Sequence, residues 1–453
     1  MIHAYKLNGY NIVIDVNSGA VHVLDDISYD IIEKLNDTVP KNIDDILLNE
    51  LSSKYNENEI LEAYKEIYNL YQNKQLFSSD PYEKHLPELG NTPIKSMCLN
   101  VSHDCNLRCE YCFAAKGDFG TGRELMSFET AKKAIDFLIE KSQNRYNLEV
   151  DFFGGEPLMN FDVVKKTVDY ARSLEKKYNK KFRFTITTNG LLLTDDKIDY
   201  INKEMSNVVL SLDGRKNIND KLRITPNKKG CYDIIVPRYQ KLVKERDKSK
   251  DYYVRGTFTK NNLDFTNDVL HMYDLGFDQI SIEPVVSDPK LPYSIKEEDL
   301  SKVFDEYEKL AKTIIEYRKN DKFFNFFHFM IDLDHGPCII KRLKGCGCGN
   351  EYVAVTPNGD IYPCHQFVGM NNWKIGNLND KTFDNEKKTY FSKTNIYTKP
   401  NCKNCWAKFY CSGGCNANSL QYEKDVFKPH KVSCELEKKR VECAIMIQAA
   451  LND

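Results

Sequence analysis

Asp104–Phe113 reads D-C-N-L-R-C-E-Y-C-F, with Cys105, Cys109 and Cys112 at x3 and x2 spacing and Tyr111 and Phe113 flanking the last. Three thiolates on one short loop can hold three irons of a 4Fe–4S cube and leave the fourth without a protein ligand. An iron with an open site can bind a substrate or cofactor and pass it an electron. A structural zinc site needs a fourth ligand close by, for which His103 is the nearest candidate.

A second cysteine group lies near the C-terminus. Cys402-x2-Cys405-x5-Cys411-x3-Cys415 is followed, after eighteen intervening residues, by Cys434, and preceded by Gly359-x4-Cys364 and by Cys346 or Cys348. The Cys402–Cys415 run alone could be a zinc knuckle or ribbon. Fifteen cysteines, none before Cys98 and nine from Cys346 onward, are clustered as metal ligands are. The start, M-I-H-A-Y-K-L-N-G-Y, has neither the basic nor the apolar part of a secretory signal. A cytoplasmic chain is expected, and in that reducing compartment disulfides are disfavoured. Cys98 and Cys443 fall in strand and helix patterns as small buried hydrophobes. Cys231 opens a helical pattern and has no assigned role.

These groups need elements to hold them. From Ile94 the pattern alternates between strand and helix, with strands expected at Ile94–Val101, Leu148–Phe153, Phe182–Thr188, Val208–Leu212, Tyr252–Phe258 and Gln279–Glu283. Ser127 is placed to cap the first crossover helix, whose Ala131, Ala134, Ile135, Leu138 and Ile139 share a face. Such alternation means parallel strands with right-handed crossovers. Six units make a partial (β/α)6 TIM-like barrel, closed by a helix over Leu300–Tyr317, whose working end is the C-terminal edge of the strands. The first cysteine loop follows the first strand directly and so sits at that end. Gly154-Gly155-Glu156-Pro157 follows the second strand, where glycines let backbone approach a ligand closely or simply make a tight turn.

Residues 1–85 read as a separate unit of three short strands and three helices, a winged-helix-like module. It carries 15 Asp and Glu against 7 Lys and no Arg, a balance of −8. That sign repels phosphates and excludes the nucleic-acid role such modules often have. Capture of a peptide strand on the sheet edge fits better, with Lys or Arg favoured in the peptide. Ser79–Pro93, with Pro81, Pro87, Gly90 and Pro93, reads as the linker, giving units over 1–85, 93–320 and 321–453. At 41% hydrophobic and 29% charged residues with a net charge of −2, the chain reads as globular. No apolar run approaches the ~20 residues of a membrane span.

With its flanking aromatics, the Cys105–Cys112 loop resembles the signature of the radical S-adenosylmethionine (SAM) superfamily. The resemblance implies a cluster on those three cysteines with SAM on its open iron, cleaved reductively to a radical that abstracts hydrogen from an unactivated carbon. It further implies Tyr111, Gly154, Gly155, Glu156, Asn189, Ser211 and Arg223 at the cofactor. The G-G-E-P segment would meet the amino group, Asn189 the ribose, and Ser211 and Arg223 the carboxylate. The later cysteines resemble the twin-cluster SPASM extension. That resemblance implies Cys346, Cys364 and Cys415 on a nearer auxiliary cluster and Cys402, Cys405, Cys411 and Cys434 on a farther one, three 4Fe–4S clusters in all. Cys338 or Cys348 could complete the nearer cluster, or its fourth iron could stay open for a substrate thiolate.

Over nearly the full length the chain resembles maturases of six-cysteine (SCIFF) peptides, through M-I-H, D-V-N-S-G-A-V-H-V, G-P-C and E-Y-V-A-V-T-P-N-G-D-I-Y-P-C-H-Q-F. The function implied is formation of thioether cross-links from cysteines of a ribosomally made precursor carrying a leader, with a flavodoxin- or ferredoxin-type donor supplying electrons. His365 is the candidate base, with a structural role set against it. Formylglycine formation is a second reading, but those enzymes have an aspartate where this chain has His365, and they lack the acidic module. Carbon–carbon cross-linking would use the same parts. A zinc-binding peptide scaffold is the reading from a non-enzymatic class.

Overall fold

The computed structural model describes residues 1–84, 92–333 and 338–452. Pro87 and Gly90 of the expected linker, and Gly336 and Pro337 of G-P-C, lie outside the described residues. The six expected strands are present as β4 (Ser96–Ser102), β5 (Asn147–Gly154), β6 (Lys181–Thr188), β7 (Asn207–Ser211), β8 (Asp251–Phe258) and β9 (Gln279–Pro284). They follow β1 (Ile2–Leu7), β2 (Tyr10–Asp15) and β3 (Val21–Leu24) of the N-terminal unit. From β4 to β9 each strand pairs in parallel with the next, so the fold is the open barrel sheet of the α/β class.

Alternation along each strand sets the two faces. Val150 and Phe152 of β5, Phe184 and Ile186 of β6, and Val208 and Leu210 of β7 are fully buried under the outer helices. Phe153, Thr187, Ser211, Arg255, Thr257 and Glu283 take the opposite face and line a cavity inside the barrel. The Ser127 cap forms as expected, its hydroxyl accepting from the Thr130 N–H at 3.1 Å, ahead of helix Phe128–Lys141. The helix expected over Leu300–Tyr317 runs to Lys319.

The sheet does not stop at the barrel. β10 (Asn325–Phe326) adds in parallel beside β9, and β11 (Tyr352–Val355) adds in parallel beside β4. β12 (Asp360–Tyr362), β13 (Gly376–Asn377) and β14 (Thr382–Phe383) continue antiparallel, giving one eleven-stranded sheet. The C-terminal region is thus welded to both edges of the barrel. Its last helix, Lys431–Asn452, packs on the helix Leu300–Lys319.

β1–β3 form their own antiparallel sheet, with helices Asp26–Lys34, Asp45–Leu51 and Glu57–Gln72 on one face around Val13, Ile31, Ile60 and Ile67. Tyr5, Leu7, Ile12 and Ile14 instead join the main core. His3 stacks on Trp406 at 3.7 Å, and Lys408 pairs with Asp80 at 2.9 Å, tying this unit to the cysteine-rich region.

Candidate functional site

Cys105, Cys109 and Cys112 all line one cavity of about 290 Å³ at the C-terminal edge of the barrel strands. The loop that carries them is fixed by neighbours distant in sequence. The Arg108 N–H donates to Ile224 O at 2.6 Å and the Glu110 N–H to Leu222 O at 3.0 Å, so the loop grips the segment that presents Arg223. On its other side the Gly155 N–H donates to Ser102 O and the Glu156 N–H to Asp104 O. A Cβ on Gly154 would stand 2.2 Å from Ser102 O, and one on Gly155 would stand 2.2 Å from Asp104 O. What these glycines approach is therefore the root of the cysteine loop, a closer reason for glycine than the ligand approach expected from sequence.

Glu156 is buried, and its carboxylate is already spent. Oε1 accepts from the Thr188 hydroxyl at 2.8 Å and the Leu158 N–H at 3.0 Å, and Oε2 accepts from the Asn189 N–H at 2.8 Å. It ties the end of β5 to the end of β6. Asn189, the expected ribose partner, lines the cavity, but its amide donates to Asn106 Oδ1 at 2.7 Å and its oxygen accepts from the Leu191 N–H. Its amide oxygen keeps a second lone pair for a ribose hydroxyl.

Arg223 is 8% exposed, far from the solvated surface position that a lone loop arginine usually occupies. Its Nη1 donates to the Tyr111 hydroxyl at 2.8 Å, and Tyr111 in turn donates to Asp213 Oδ2 at 2.6 Å. Burial pushes the Asp213 carboxyl up, against the pull of Arg223, the Tyr111 hydroxyl and the Thr257 N–H. Among the described residues Arg223 Nε has no hydrogen-bond partner. Buried donors rarely stay unpaired, and a cavity-lining guanidinium with an unpaired N–H suits a carboxylate ligand. Ser211 lines the same cavity. Three thiols, an unpartnered guanidinium N–H and a glycine-formed wall fit a 4Fe–4S cluster carrying an amino-acid-bearing cofactor.

His365 closes the cavity from the C-terminal region. Its ring lies 5.4 Å from Phe113 and 5.2 Å from Phe153, and Nδ1 is 3.1 Å from the Tyr352 hydroxyl. Burial pushes it down to about 4, so the imidazole is neutral near pH 7. Gln366 and Asn418 join it at the wall. Sequence reading missed Arg255 and Glu283, which face each other across 2.7 Å at the cavity. Their only sequence signal was polarity at inward positions of β8 and β9.

The four cysteines expected on the farther cluster share one neighbourhood. Cys402, Cys405, Cys411 and Cys434 line a second cavity of about 630 Å³. Cys415 turns away from it toward Cys346 and Cys364. Of the spare thiols, Cys348 is buried in hydrogen-bond contact with Cys364, while Cys338 is exposed. His103, the fourth ligand that zinc would need, has Nδ1 at 3.0 Å from the Thr121 hydroxyl and its ring packed on Phe119, and it is not among the residues lining the thiol cavity. Among the described residues no three His, Cys, Asp or Glu side chains converge on a single-ion site. A cube takes one thiolate per iron, so its ligands stand farther apart. Cys98 and Cys443 are buried as expected, and Cys231 stands at the N-cap position of the helix Tyr232–Glu245 without a side-chain capping bond.

Comparison with known proteins agrees with this arrangement. The radical SAM superfamily model matches residues 99–256, and that of SPASM, an iron-sulfur cluster-binding domain, matches residues 346–406. The two matches fall in that order along the chain, on the barrel strands and on the cysteine-rich region.

The chain is 29% identical over 346 residues to a cysteine-type anaerobic sulfatase-maturating enzyme of Clostridium novyi, covering 72% of this chain and 89% of that one. Against a serine-type anaerobic sulfatase-maturating enzyme of Bacteroides thetaiotaomicron the identity is 26% over 370 residues, covering 74% and 85%. Among solved structures, native anSMEcpe with bound AdoMet superposes with a TM-score of 0.66 at 22% identity, over 79% of this chain and 99% of that one. Streptococcus suis SuiB bound to precursor peptide SuiA superposes at 0.52 and 20% identity, over 95% and 98%. Both likenesses are of fold. No helix among the described residues is long and apolar enough to cross a membrane.

Proposed function

We propose that this chain is a radical SAM peptide maturase that forms thioether cross-links from cysteines of a ribosomally made, cysteine-rich precursor. The observation that carries the proposal is a single cavity lined by both the Cys105–Cys109–Cys112 loop and His365–Gln366, which follow Cys364 directly. A peptide there meets the site of hydrogen abstraction and the nearer auxiliary group together.

In this reading Cys105, Cys109 and Cys112 hold the cofactor-binding cluster. Cys346, Cys364 and Cys415 hold the nearer auxiliary cluster, and Cys402, Cys405, Cys411 and Cys434 the farther one. When bound, SAM and its cluster supply hydrogen-atom abstraction from an unactivated carbon. The protein supplies the rest. Arg223, kept charged and oriented by Asp213 and Tyr111, receives the cofactor carboxylate together with Ser211. Tyr111 is thus a positioning residue. Glu156 holds the ends of β5 and β6 in register, so that backbone of the Gly154–Gly155 turn can meet the amino group. Arg255 and Glu283 present opposite charges to the peptide. His365, neutral and in hydrogen-bond contact with Tyr352, forms the wall that a substrate thiol would face. β3 is an edge strand of the acidic module, with β2 as its ladder partner, and offers a place for the leader to add as a strand.

Formylglycine formation stands as a second reading, favoured by the sulfatase-maturating relatives. The two differ in their products. Precursor peptide turned over with the reconstituted, reduced enzyme should lose one alkylatable thiol without gaining an aldehyde. A hydrazide-reactive product would favour formylglycine formation and overturn the thioether proposal.

A further inference from the structure

We propose that the buried Lys399 ammonium is the shared counter-charge of the two auxiliary cysteine groups and sets the potentials at which they accept an electron. The inference rests on reading those groups as 4Fe–4S sites. Lys399 is 2% exposed. Its Nζ donates to Gly413 O at 2.7 Å and to Asn416 Oδ1 at 2.8 Å. Gly413 lies in the short turn between Cys411 of the farther group and Cys415 of the nearer one, and Asn416 follows Cys415 directly. The Cys402 N–H donates to Lys399 O at 2.9 Å, so one residue braces cysteine-bearing segments of both groups. Its charged surroundings are thiols from each side: Cys402 and Cys411 from one, Cys415 and Cys346 from the other.

The unusual feature is what the ammonium lacks. Lys408, buried nearby, has the Asp80 carboxylate at 2.9 Å. Among the described residues no carboxylate stands within ion-pair distance of Lys399. A buried ammonium held only by neutral acceptors is strongly disfavoured unless an anion completes its surroundings. Thiolate-ligated iron–sulfur cubes are anionic, and one would lie on either side of this side chain. A fixed positive charge favours the more negative, reduced state of each, and charge beside a cluster is one of the terms that set its potential.

The test uses full-length protein, anaerobically reconstituted, with iron content and an EPR-monitored redox titration as readouts. Lys399→Met should keep its iron and move the midpoint potentials of both auxiliary signals in the negative direction, leaving the signal of the Cys105–Cys109–Cys112 cluster in place. Lys399→Arg should stay near wild type. Asn416→Asp keeps an acceptor oxygen but neutralises the ammonium, and should move the same two potentials the same way even if Lys399→Met loses iron. Unshifted auxiliary potentials in Asn416→Asp, or in an iron-replete Lys399→Met, would overturn the inference. Wild-type protein without auxiliary iron would instead overturn the reading of the cysteine groups.

Discussion

Single residues decide whether the cysteine loop can hold its shape. The Gly155→Ala substitution puts a methyl 2.2 Å from Asp104 O, a separation that forces the loop root to move. The variant should reconstitute with about four fewer irons per chain while keeping its auxiliary clusters, read by iron assay and EPR. Full iron would show that the loop tolerates the shift. Arg223 tests cofactor placement. Arg223→Lys keeps the charge but loses the fork that reaches Tyr111 and leaves Nε free. SAM affinity in equilibrium dialysis should fall by about tenfold or more, the scale of one charge-assisted hydrogen bond. Unchanged affinity would remove Arg223 from the site. Residue types and spacing made most of this legible: every cysteine of the farther group lines one cavity. Hidden from sequence were the commitments of the polar groups. Asp213 looks like one more turn aspartate in S-L-D-G, yet it is the buried partner of an arginine and a tyrosine brought from elsewhere in the chain.

At the scale of elements, alternation revealed the six barrel strands to within two residues of their ends, because the outer face of each is apolar and helix-covered. The lumen was harder to read. Inward Arg255, Thr257 and Glu283 look like solvent-facing positions when an open barrel has a polar interior. Tyr352–Val355 was equally mute: four apolar residues do not say which sheet edge they will join, and they joined β4. Asp151, on the inward face of β5, carries a measurable consequence. Burial pushes its carboxyl up to about 6. The folded state therefore binds this proton more tightly than the unfolded chain, whose carboxyl titrates near ~3.9. Stability falls as pH rises from about 4 to 6, and the whole penalty persists above that. Asp151→Asn should raise the unfolding midpoint more at pH 8 than at pH 4.5, by at most about 3 kcal/mol in stability. An equal effect at both pH values would contradict the assignment.

Over the whole molecule, charge and connectivity divide the work. The first 85 residues carry a balance of −8 within a chain of net charge −2, so the remainder is basic by +6. Lys34 and Lys54 are paired internally with Glu50 and Asp30, which leaves the acidic excess to face solvent. A Lys- or Arg-bearing leader should bind with an affinity that falls about tenfold from low to high salt in an anisotropy titration, as steering between opposite charges is screened. Salt-independent binding would argue for an apolar mode of capture. The union of acidic module, barrel and cysteine-rich region into one body was not legible, since it rests on long-range contacts such as His3 on Trp406.

The central claim is that hydrogen is taken from a peptide carbon that then bonds to a cysteine sulfur. Its most direct test is turnover of a cysteine-rich precursor deuterated at its candidate acceptor side chains. One deuterium should be recovered in 5′-deoxyadenosine, and the peptide should have lost that deuterium, one thiol hydrogen and one alkylatable thiol. Unlabelled 5′-deoxyadenosine beside a peptide of unchanged mass, with every thiol still alkylatable, would contradict it.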